Sequence, residues 1–273
     1  MFLCRVVVAA GGAAAAVVAA ALVGQNGEDS SVATVHWPPS FTRRWNSNWD
    51  QREPISLINL NDLKNSKEED LKRLLQKYKA KAGRHIFLVR HGQYNVEGDA
   101  DSERVLTSLG RDQANLTGQR LANLGYKYNQ ITNSTMTRAK ETSEIIGKHL
   151  EGVERTSSDL LREGAPIRPD PPSHHWKPDA VYFDDGPRIE SAFRNYFHRA
   201  DYEQKEDTYE IIVCHDNVIR YIVCRALQLP PEAWLRMHLH HGSITELMIH
   251  HNGNVTLKTL GDAGYMPANK LSN

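Results

Sequence analysis

The chain has 273 residues, and 33 lysines and arginines balance 33 aspartates and glutamates, so the formal net charge at pH 7 is zero. This balance gives no support for a surface that binds nucleic acid or anionic lipid. The length suits one sizeable α/β domain with additional segments. The three cysteines form no disulfide framework and no CxxC pair, which favours a reducing compartment.

The first segment, residues 1–24, is apolar. Residues 6–24 are only Val, Ala, Gly and Leu, and this length suits a membrane span of about 17–25 residues. We therefore predict an N-terminal membrane helix that anchors the chain. A basic start at Arg5 and an alanine-rich stretch at residues 19–21 would also suit a targeting segment that is removed, and this alternative stays open.

Residues 25–83 are predicted to be a linker, and its first feature is a tryptophan motif, "RRWNSNWDQREP" at residues 43–54. Trp45 and Trp49 lie four residues apart in this polar stretch. Large apolar side chains are seldom left in water without a reason. We expect the two tryptophans to pack either on their own domain or, because Trp and Arg favour interface cores, into a neighbouring subunit.

The second feature of the linker is an amphipathic helix, predicted over residues 66–82 with Ser66 and Glu69 as a capping box. It leads into a domain over residues 84–273, in which apolar strands alternate with helical patterns. This alternation predicts an α/β fold with a mostly parallel sheet and helices on both faces. Asn252-Gly253, between the last two predicted strands, indicates a hairpin.

Two predicted strands end in histidine: "FLVRH" ends at His91 and "IIVCH" ends at His215. In such sheets, ligands bind beyond the carboxyl ends of the strands. Arg90 precedes His91, and Arg138 lies early in the helix after the second strand. Glu163 follows the next extended segment. The sequence therefore predicts that these five side chains share one site.

The residue types in this set suit phosphoryl transfer. Two arginines can hold a phosphoryl group by bidentate hydrogen bonds, and a neutral imidazole is nucleophilic near pH 7. A protonated second histidine can stabilise the developing negative charge, and a carboxylic acid can protonate the leaving alkoxide and later activate water. Because side chains supply the positive charge, this chemistry requires no metal and no cofactor. Gly92 is expected to leave room for the substrate.

Five ordered motifs resemble the phosphoglycerate mutase branch of the histidine phosphatase superfamily: "LVRHGQ", "LTSLGRDQA", "NSTMTRAKET", "LLREG" and "VCHDNVIRY". The likeness covers roughly residues 84–264. It implies the three-layer fold of that family and a role for each matching residue. His91 would be phosphorylated, Glu163 would donate the proton, and the phosphoryl group would be bound by Arg90, Arg138 and His215.

Further segments, both before the domain (the apolar start, "WNSNWDQREP", "LINL") and within it ("LLREGAPIRPDPPSHHWKPDAV", "AFRNYFHRAD"), extend the resemblance to a mitochondrial subgroup whose members are serine/threonine protein phosphatases. The subgroup implies phosphoprotein substrates and an anchor in a mitochondrial membrane, the outer membrane being favoured over the inner. It also implies assembly into dimers and ring-like oligomers through the tryptophan motif, here Trp45, Asn48, Trp49 and Asp50. Asn46 replaces the aspartate of the subgroup's motif, so weaker docking between subunits is expected.

The resemblance does not extend to every partner of the subgroup. Mammalian members use a Glu-Ser-Gly-Glu turn before the amphipathic helix to bind a Kelch-type adaptor, and this chain has "NSKEED" there. We therefore do not predict that partner. "MHLHHG" at residues 237–242 places His238 and His240 on one side of a predicted strand, but no carboxylate or thiolate lies near in sequence, so no metal site is predicted.

Two alternatives for the function use the same residues. A phosphoglycerate mutase would need the same five side chains, and would differ in excluding water while the phosphoenzyme exists. A non-catalytic mitochondrial scaffold would be organised by the tryptophan motif and would retain the site as a relic. The membrane anchor argues against the first alternative, and the complete set of site residues argues against the second.

Overall fold

A six-stranded sheet lies at the centre of the computed structural model, which describes residues 44–173 and 177–273. Its strands are β1 (Arg84–Arg90), β2 (Gln130–Ser134), β3 (Glu154–Ser158), β4 (Thr208–Cys214), β5 (Ile244–Ile249) and β6 (Val255–Asp262). Their order across the sheet is β3-β2-β4-β1-β5-β6. Strands β1 to β4 pair in parallel, whereas β5 and β6 are antiparallel. The predicted mostly parallel sheet is confirmed, and so is the closing hairpin.

The helices are α1 (Pro54–Leu57), α2 (Leu60–Asn65), α3 (Glu68–Lys77), α4 (Ser108–Asn123), α5 (Thr137–Gly147), α6 (Asp179–Tyr196) and α7 (Asp216–Ala226). Helices α4 to α7 form apolar cores on both faces of the sheet, whereas α1, α2 and α3 bury no residue. Leu88 of β1 belongs to a core with Phe193 of α6 and with α7, whereas Val89 belongs to a core with α4 and α5. Because successive strand residues face opposite sides, β1 is buried on both faces.

The amphipathic helix is shorter than the predicted span of residues 66–82, since α3 covers Glu68–Lys77. The predicted capping box is wrong. Ser66 ends the preceding helix α2, and its backbone N–H donates to the Asp62 carbonyl. The residue that caps α3 is Lys67, which makes no side-chain capping bond. Ser66 is therefore the C-terminal cap of α2, the helix directly before α3, and not the N-terminal cap of α3.

The predicted anchor, residues 1–24, lies outside the described residues. Within residues 44–173 and 177–273, no helix is both long enough and apolar enough to cross a membrane. The chain from Trp45 to Asn273 forms one compact unit.

Part of the tryptophan motif packs on its own domain. The Trp49 side chain is buried, and its Nε1–H donates to the Gly253 carbonyl at 2.8 Å. The Asp50 carboxylate, with 0% of its side chain exposed, pairs with Arg199 at 2.6 Å. Trp45, in contrast, is 38% exposed. Of the two expectations for the tryptophans, packing on the same chain is therefore the one that Trp49 meets.

Candidate active site

His91 follows β1 directly, and its backbone N–H donates to the Cys214 carbonyl at 3.0 Å, so it continues the pairing with β4. Its Nδ1 lies 2.8 Å from the carbonyl oxygen of Gly92. A carbonyl only accepts, so Nδ1 carries the proton and Nε2 keeps its lone pair. Burial, helped by His215 and Arg138, lowers the pKa of His91 well below its usual value. The ring is thus neutral, with a nucleophilic Nε2.

Arg138, the second residue of α5, is the cation nearest to this nitrogen. Its Nε–H donates to His91 Nε2 at 3.2 Å, and its guanidinium lies 4.6 Å from the centre of the Tyr94 ring. Asp101 lies 3.8 Å from its Nη1. That Nη1 is buried and, among the described residues, has no hydrogen-bonding partner. Arg138 therefore binds His91 through Nε while its Nη1 keeps a donor without a hydrogen-bonding partner among the described residues.

Arg90, the last residue of β1, is held on one side and free on the other. Its Nη1 donates to the Leu239 carbonyl at 2.5 Å, and its Nη2 donates to His241 Nε2 at 3.2 Å. The Asp216 carboxylate lies 3.6 Å from Nη2. Its Nε is buried without a hydrogen-bonding partner in the described part of the chain. The fixed end orients the guanidinium, and Nε remains for a ligand.

His215 follows β4 directly and caps the start of α7, and its ring centre lies 5.1 Å from that of His91. Its Nε2 lies 2.9 Å from Ser134 Oγ, while its buried Nδ1 lacks a partner within the described residues. Burial and nearby arginines, Arg138 first, lower the pKa of His215 well below its usual value. The second histidine is therefore neutral in this pocket rather than protonated as expected. A bound anion would raise its pKa.

Glu163 is half-buried, and its Oε1 accepts from the backbone N–H of Gly164 at 2.8 Å. Burial, together with the charge of Asp216 and a hydrogen bond to that residue, raises the pKa of Glu163 to about 8. Burial also acts to raise the pKa of Asp216, but Arg90 and Arg220 lower it below its usual value. Glu163 is thus the carboxyl that holds a proton at neutral pH, as a proton donor requires.

One arginine of α6 fixes the turn that carries Glu163. Arg188 Nη1 donates to the carbonyls of Arg162 at 2.5 Å and Leu160 at 3.2 Å. Its Nη2 donates to the Glu163 carbonyl at 3.1 Å and to Asp185 Oδ1 at 2.7 Å. Glu163 therefore lies on irregular backbone that is tied to α6.

The role expected for Gly92 is corrected. A Cβ at this position would meet the backbone oxygen of Gly110 at 2.4 Å, so the missing side chain makes room for helix α4 rather than for substrate. The start of α4 crosses the loop after β1 at this point. Thr107 caps the helix, since its Oγ1 accepts from the Gly110 N–H.

The structure brings the five predicted side chains into one pocket around His91. Four contributors were missed: Tyr94, Arg188, Asp216 and His241. Asp216 had a sequence signal, because it follows His215 at a helix start, and His241 lies in the "MHLHHG" stretch that had been weighed only as metal ligands. That stretch is not a strand, and the described residues contain no group of three histidine, cysteine or acidic side chains arranged to hold a metal ion.

The family model of the histidine phosphatase superfamily (branch 1) matches residues 86–166 and 175–262. The fold is similar to that of Plasmodium falciparum phosphoglycerate mutase, with 33% identity, a TM-score of 0.50, and coverage of 69% of this chain and 96% of that one. A putative α-ribazole-5′-P phosphatase from Escherichia coli matches at 17% identity and a TM-score of 0.52, with coverage of 66% of this chain and 97% of that one. At this identity the likeness shows the fold alone. The chain belongs to the histidine phosphatase superfamily.

Within that superfamily, curated relatives carry a narrower name. The chain is 61% identical over 249 residues to the mitochondrial serine/threonine-protein phosphatase PGAM5 of Xenopus laevis, covering 91% of this chain and 90% of the relative. It is 63% identical over 230 residues to the Homo sapiens protein of the same name, covering 84% and 80%. The chain is accordingly a phosphatase.

Proposed function

We propose that the chain is a serine/threonine protein phosphatase that works through a phosphohistidine on His91. The observation that carries this proposal is the unprotonated Nε2 of His91, which accepts from Arg138 Nε at 3.2 Å and lies among buried nitrogens that lack partners within the described residues. These nitrogens are Arg90 Nε and Arg138 Nη1, with His215 Nδ1 beside them. The set matches the needs of a phosphoryl group with several negative oxygens, held by charge-assisted hydrogen bonds.

In the first step, His91 Nε2 attacks phosphorus and forms a P–N bond while the P–O bond to the serine or threonine breaks. Glu163 gives its proton to the departing oxygen and becomes a carboxylate. Nδ1–H of His91 keeps its bond to the Gly92 carbonyl, which stabilises the positive charge that develops on the ring. Arg138 exchanges its bond with Nε2 for bonds to the phosphoryl oxygens.

In the second step, the Glu163 carboxylate takes a proton from water, and the water oxygen attacks phosphorus. The P–N bond breaks, orthophosphate leaves, and both His91 and Glu163 return to their starting states. The arginines supply the positive charge throughout, so the proposed reaction uses no metal and no cofactor.

Trapping the phosphoenzyme tests this mechanism. Brief exposure of the full chain to a 32P-labelled phosphoserine protein, followed by peptide mapping, is expected to place an acid-labile label on His91. His91→Ala is expected to abolish turnover with an unchanged melting temperature, because no other nucleophile replaces the imidazole. Label on another residue, or turnover by folded His91→Ala, would overturn the proposal.

The substrate class is proposed as phosphoprotein because the relatives' names describe serine/threonine-protein phosphatases. Assaying phosphopeptide hydrolysis beside isomerisation of phosphoglycerates separates this activity from that of a mutase. The scaffold alternative would be favoured if cells lacking the protein were restored in every respect by the His91→Ala form.

Attachment to a mitochondrial membrane, preferably the outer one, is part of the same proposal. It is supported by the apolar stretch at residues 6–24 and by the word "mitochondrial" in the relatives' names. Alkaline extraction of mitochondria compares the full chain with a form that begins at Gln25 behind a cleavable mitochondrial targeting sequence. We expect only the full chain to stay in the membrane pellet, and its release would contradict an anchor.

Assembly into dimers and larger rings is also proposed, with Trp45 as the residue of the motif that reaches another subunit. Trp45 is exposed, whereas Trp49 is buried in its own chain. Asn48 stabilises the motif by a hydrogen bond within it, since its Oδ1 accepts from the backbone N–H of Glu53 at 3.0 Å. Trp45→Ala is therefore expected to reduce the particle mass in light scattering, and to lower activity, while the melting temperature stays the same. An unchanged mass would exclude this role for Trp45.

A further inference from the structure

The orientation of Arg90 depends on a histidine that has no assigned role. Arg90 Nη2 lies 3.2 Å from Nε2 of His241, whose ring centre is 5.5 Å from that of His91. His241 is buried beside the pocket but makes no direct bond to the nucleophile. If Arg90 binds the phosphoryl group, as the proposed function holds, His241 helps to decide where that guanidinium points.

The contact with Arg90 fixes the tautomer of His241. A guanidinium has only donors, so His241 Nε2 has to accept, and the ring proton has to lie on Nδ1. Burial, with Arg90 next, lowers the pKa of His241 to about 3, which agrees with a neutral ring. The opposite tautomer would point an N–H at the N–H groups of Arg90.

The Nδ1 proton of His241 is received by Ser272, whose Oγ lies 2.9 Å away. Gln113 Nε2 lies 2.9 Å from the same oxygen. The orientation of the Gln113 amide is fixed, because its Oε1 accepts from Gln93 N at 2.8 Å and its Nε2 donates to the Lys270 carbonyl at 2.7 Å. Two donors therefore meet the hydroxyl oxygen of Ser272, which has two lone pairs to receive them.

We propose that Ser272 is a positioning residue for phosphate binding. Its hydroxyl oxygen holds His241 in the tautomer that accepts from Arg90, and thereby holds Arg90 with its free Nε toward the phosphoryl group. The backbone of the same segment is fixed independently, since His241 N–H donates to the Ser272 carbonyl at 3.0 Å. Losing the hydroxyl therefore releases the His241 ring without detaching the segment. This inference rests on the proposed function of Arg90.

Ser272→Ala and Ser272→Thr in the full chain separate the hydroxyl from the rest of the side chain. For Ser272→Ala we expect orthovanadate to inhibit about two- to tenfold more weakly and KM for a phosphoserine peptide to rise similarly, the effect of one lost hydrogen bond. kcat should change less, because His91 and Glu163 are untouched. Ser272→Thr keeps the hydroxyl and should behave like the unmodified chain.

Lys270→Ala is the matched control on the same segment. It removes an ion pair with Asp112 (2.6 Å) but leaves the Ser272 hydroxyl and the Lys270 carbonyl in place, so vanadate inhibition should not change. Equal inhibition of Ser272→Ala and the unmodified chain would overturn the inference. So would a Ser272→Thr variant as impaired as Ser272→Ala.

A measurement on the unmodified chain does not depend on whether a variant folds. The side-chain nitrogen spectrum of labelled histidines should show His241 with a protonated Nδ1 and an unprotonated Nε2. The reverse pattern would refute the inference. Failure here is distinct from failure of the proposed function: if phosphohistidine forms on His91 while Ser272→Ala binds vanadate normally, only the role of Ser272 is lost.

Discussion

Arg138 Nε lies 3.2 Å from His91 Nε2, so the cation proposed to bind the phosphoryl group and the imidazole proposed to attack it are hydrogen-bonded before any substrate arrives. This bond keeps the lone pair aimed into the pocket and must be exchanged for bonds to phosphoryl oxygens as the reaction begins. Arg138 therefore belongs to both the resting site and the proposed transition state.

The first prediction is that Arg138→Ala lowers kcat/KM for a phosphopeptide about 100- to 1,000-fold, the range found when a preorganised donor to a transition-state oxyanion is removed. Arg138→Lys should recover little, because an ammonium cannot supply the planar, two-pronged contact. The control is Arg111→Ala, which removes a half-exposed arginine paired with Glu141. An Arg138→Lys variant as active as the unmodified chain would show that charge alone suffices.

The second prediction concerns pH. Glu163 has to be protonated to act as the acid, and its pKa is raised to about 8, so kcat/KM should fall as pH rises through about 8. Asp216→Asn removes a charge that raises this pKa, so the descending limb should move to lower pH. Asp170→Asn, at an exposed residue paired with Arg236, should leave the limb unmoved. If the descending limb stayed in place in Asp216→Asn, Asp216 would not influence the pKa of Glu163.

The third prediction tests the crossing of α4 over the loop after β1. Gly92→Ala should lower the free energy of unfolding by about 1–3 kcal/mol, as overpacking does, and should reduce activity because the loop carries His91. Gly83→Ala is the matched control, since its Cβ would find its nearest neighbours at an ordinary 3.4 Å. Denaturant unfolding and turnover are measured on both. Equal stability of the two variants would argue against the close contact with Gly110.

The fourth prediction concerns the buried pair of Asp50 and Arg199. Asp50→Asn should destabilise the chain by about 3–5 kcal/mol at pH 7, because Arg199 is left buried with an unmatched charge. Burial acts to raise the pKa of Asp50, but Arg199 lowers it below the usual 3.8. The stabilisation is therefore complete above pH 3.8 and is lost as pH falls through the lowered value, so the difference between variant and parent should shrink there.

Asp201→Asn is the comparison for this fourth prediction. Its carboxylate is 57% exposed and lies 4.0 Å from Arg52, so its removal should have little effect on unfolding. If Asp50→Asn were as stable as Asp201→Asn, the motif would not be bound to its own domain in solution.

The parts of the site that could be predicted are those fixed by the ends of parallel strands. His91 and His215 follow neighbouring strands, β1 and β4, and such ends meet at one edge of the sheet. His241 could not be placed in the same way. It reaches Arg90 because β5 runs antiparallel to β1, so that Arg90 N–H donates to the Ser243 carbonyl at 3.2 Å. Pairing between two strands so far apart in the sequence leaves no local pattern from which it could be predicted.

Local patterns also failed where a neighbouring element used the same residue. Ser66 fits a capping box in sequence, but it closes α2 instead. Gly92 was predicted to leave room for the substrate, because the sequence does not show that Gly110 would be its neighbour. The hydrogen bond between Glu163 and Asp216 likewise depends on a loop meeting the start of the distant helix α7, which spacing along the chain does not specify.

The hydrogen bonds by which Arg188 fixes the turn that carries Glu163 have a consequence for how the sequence of this enzyme can diverge. Asp185, which binds Arg188, also accepts from Ala165 N–H at 3.0 Å, so the turn that carries Glu163 and helix α6 are tied together at the point where the proline-rich residues 165–173 begin. The part of this stretch that the structure describes therefore starts from a fixed point. Insertions and substitutions there can change the shape of this loop while the turn that carries Glu163 stays in place.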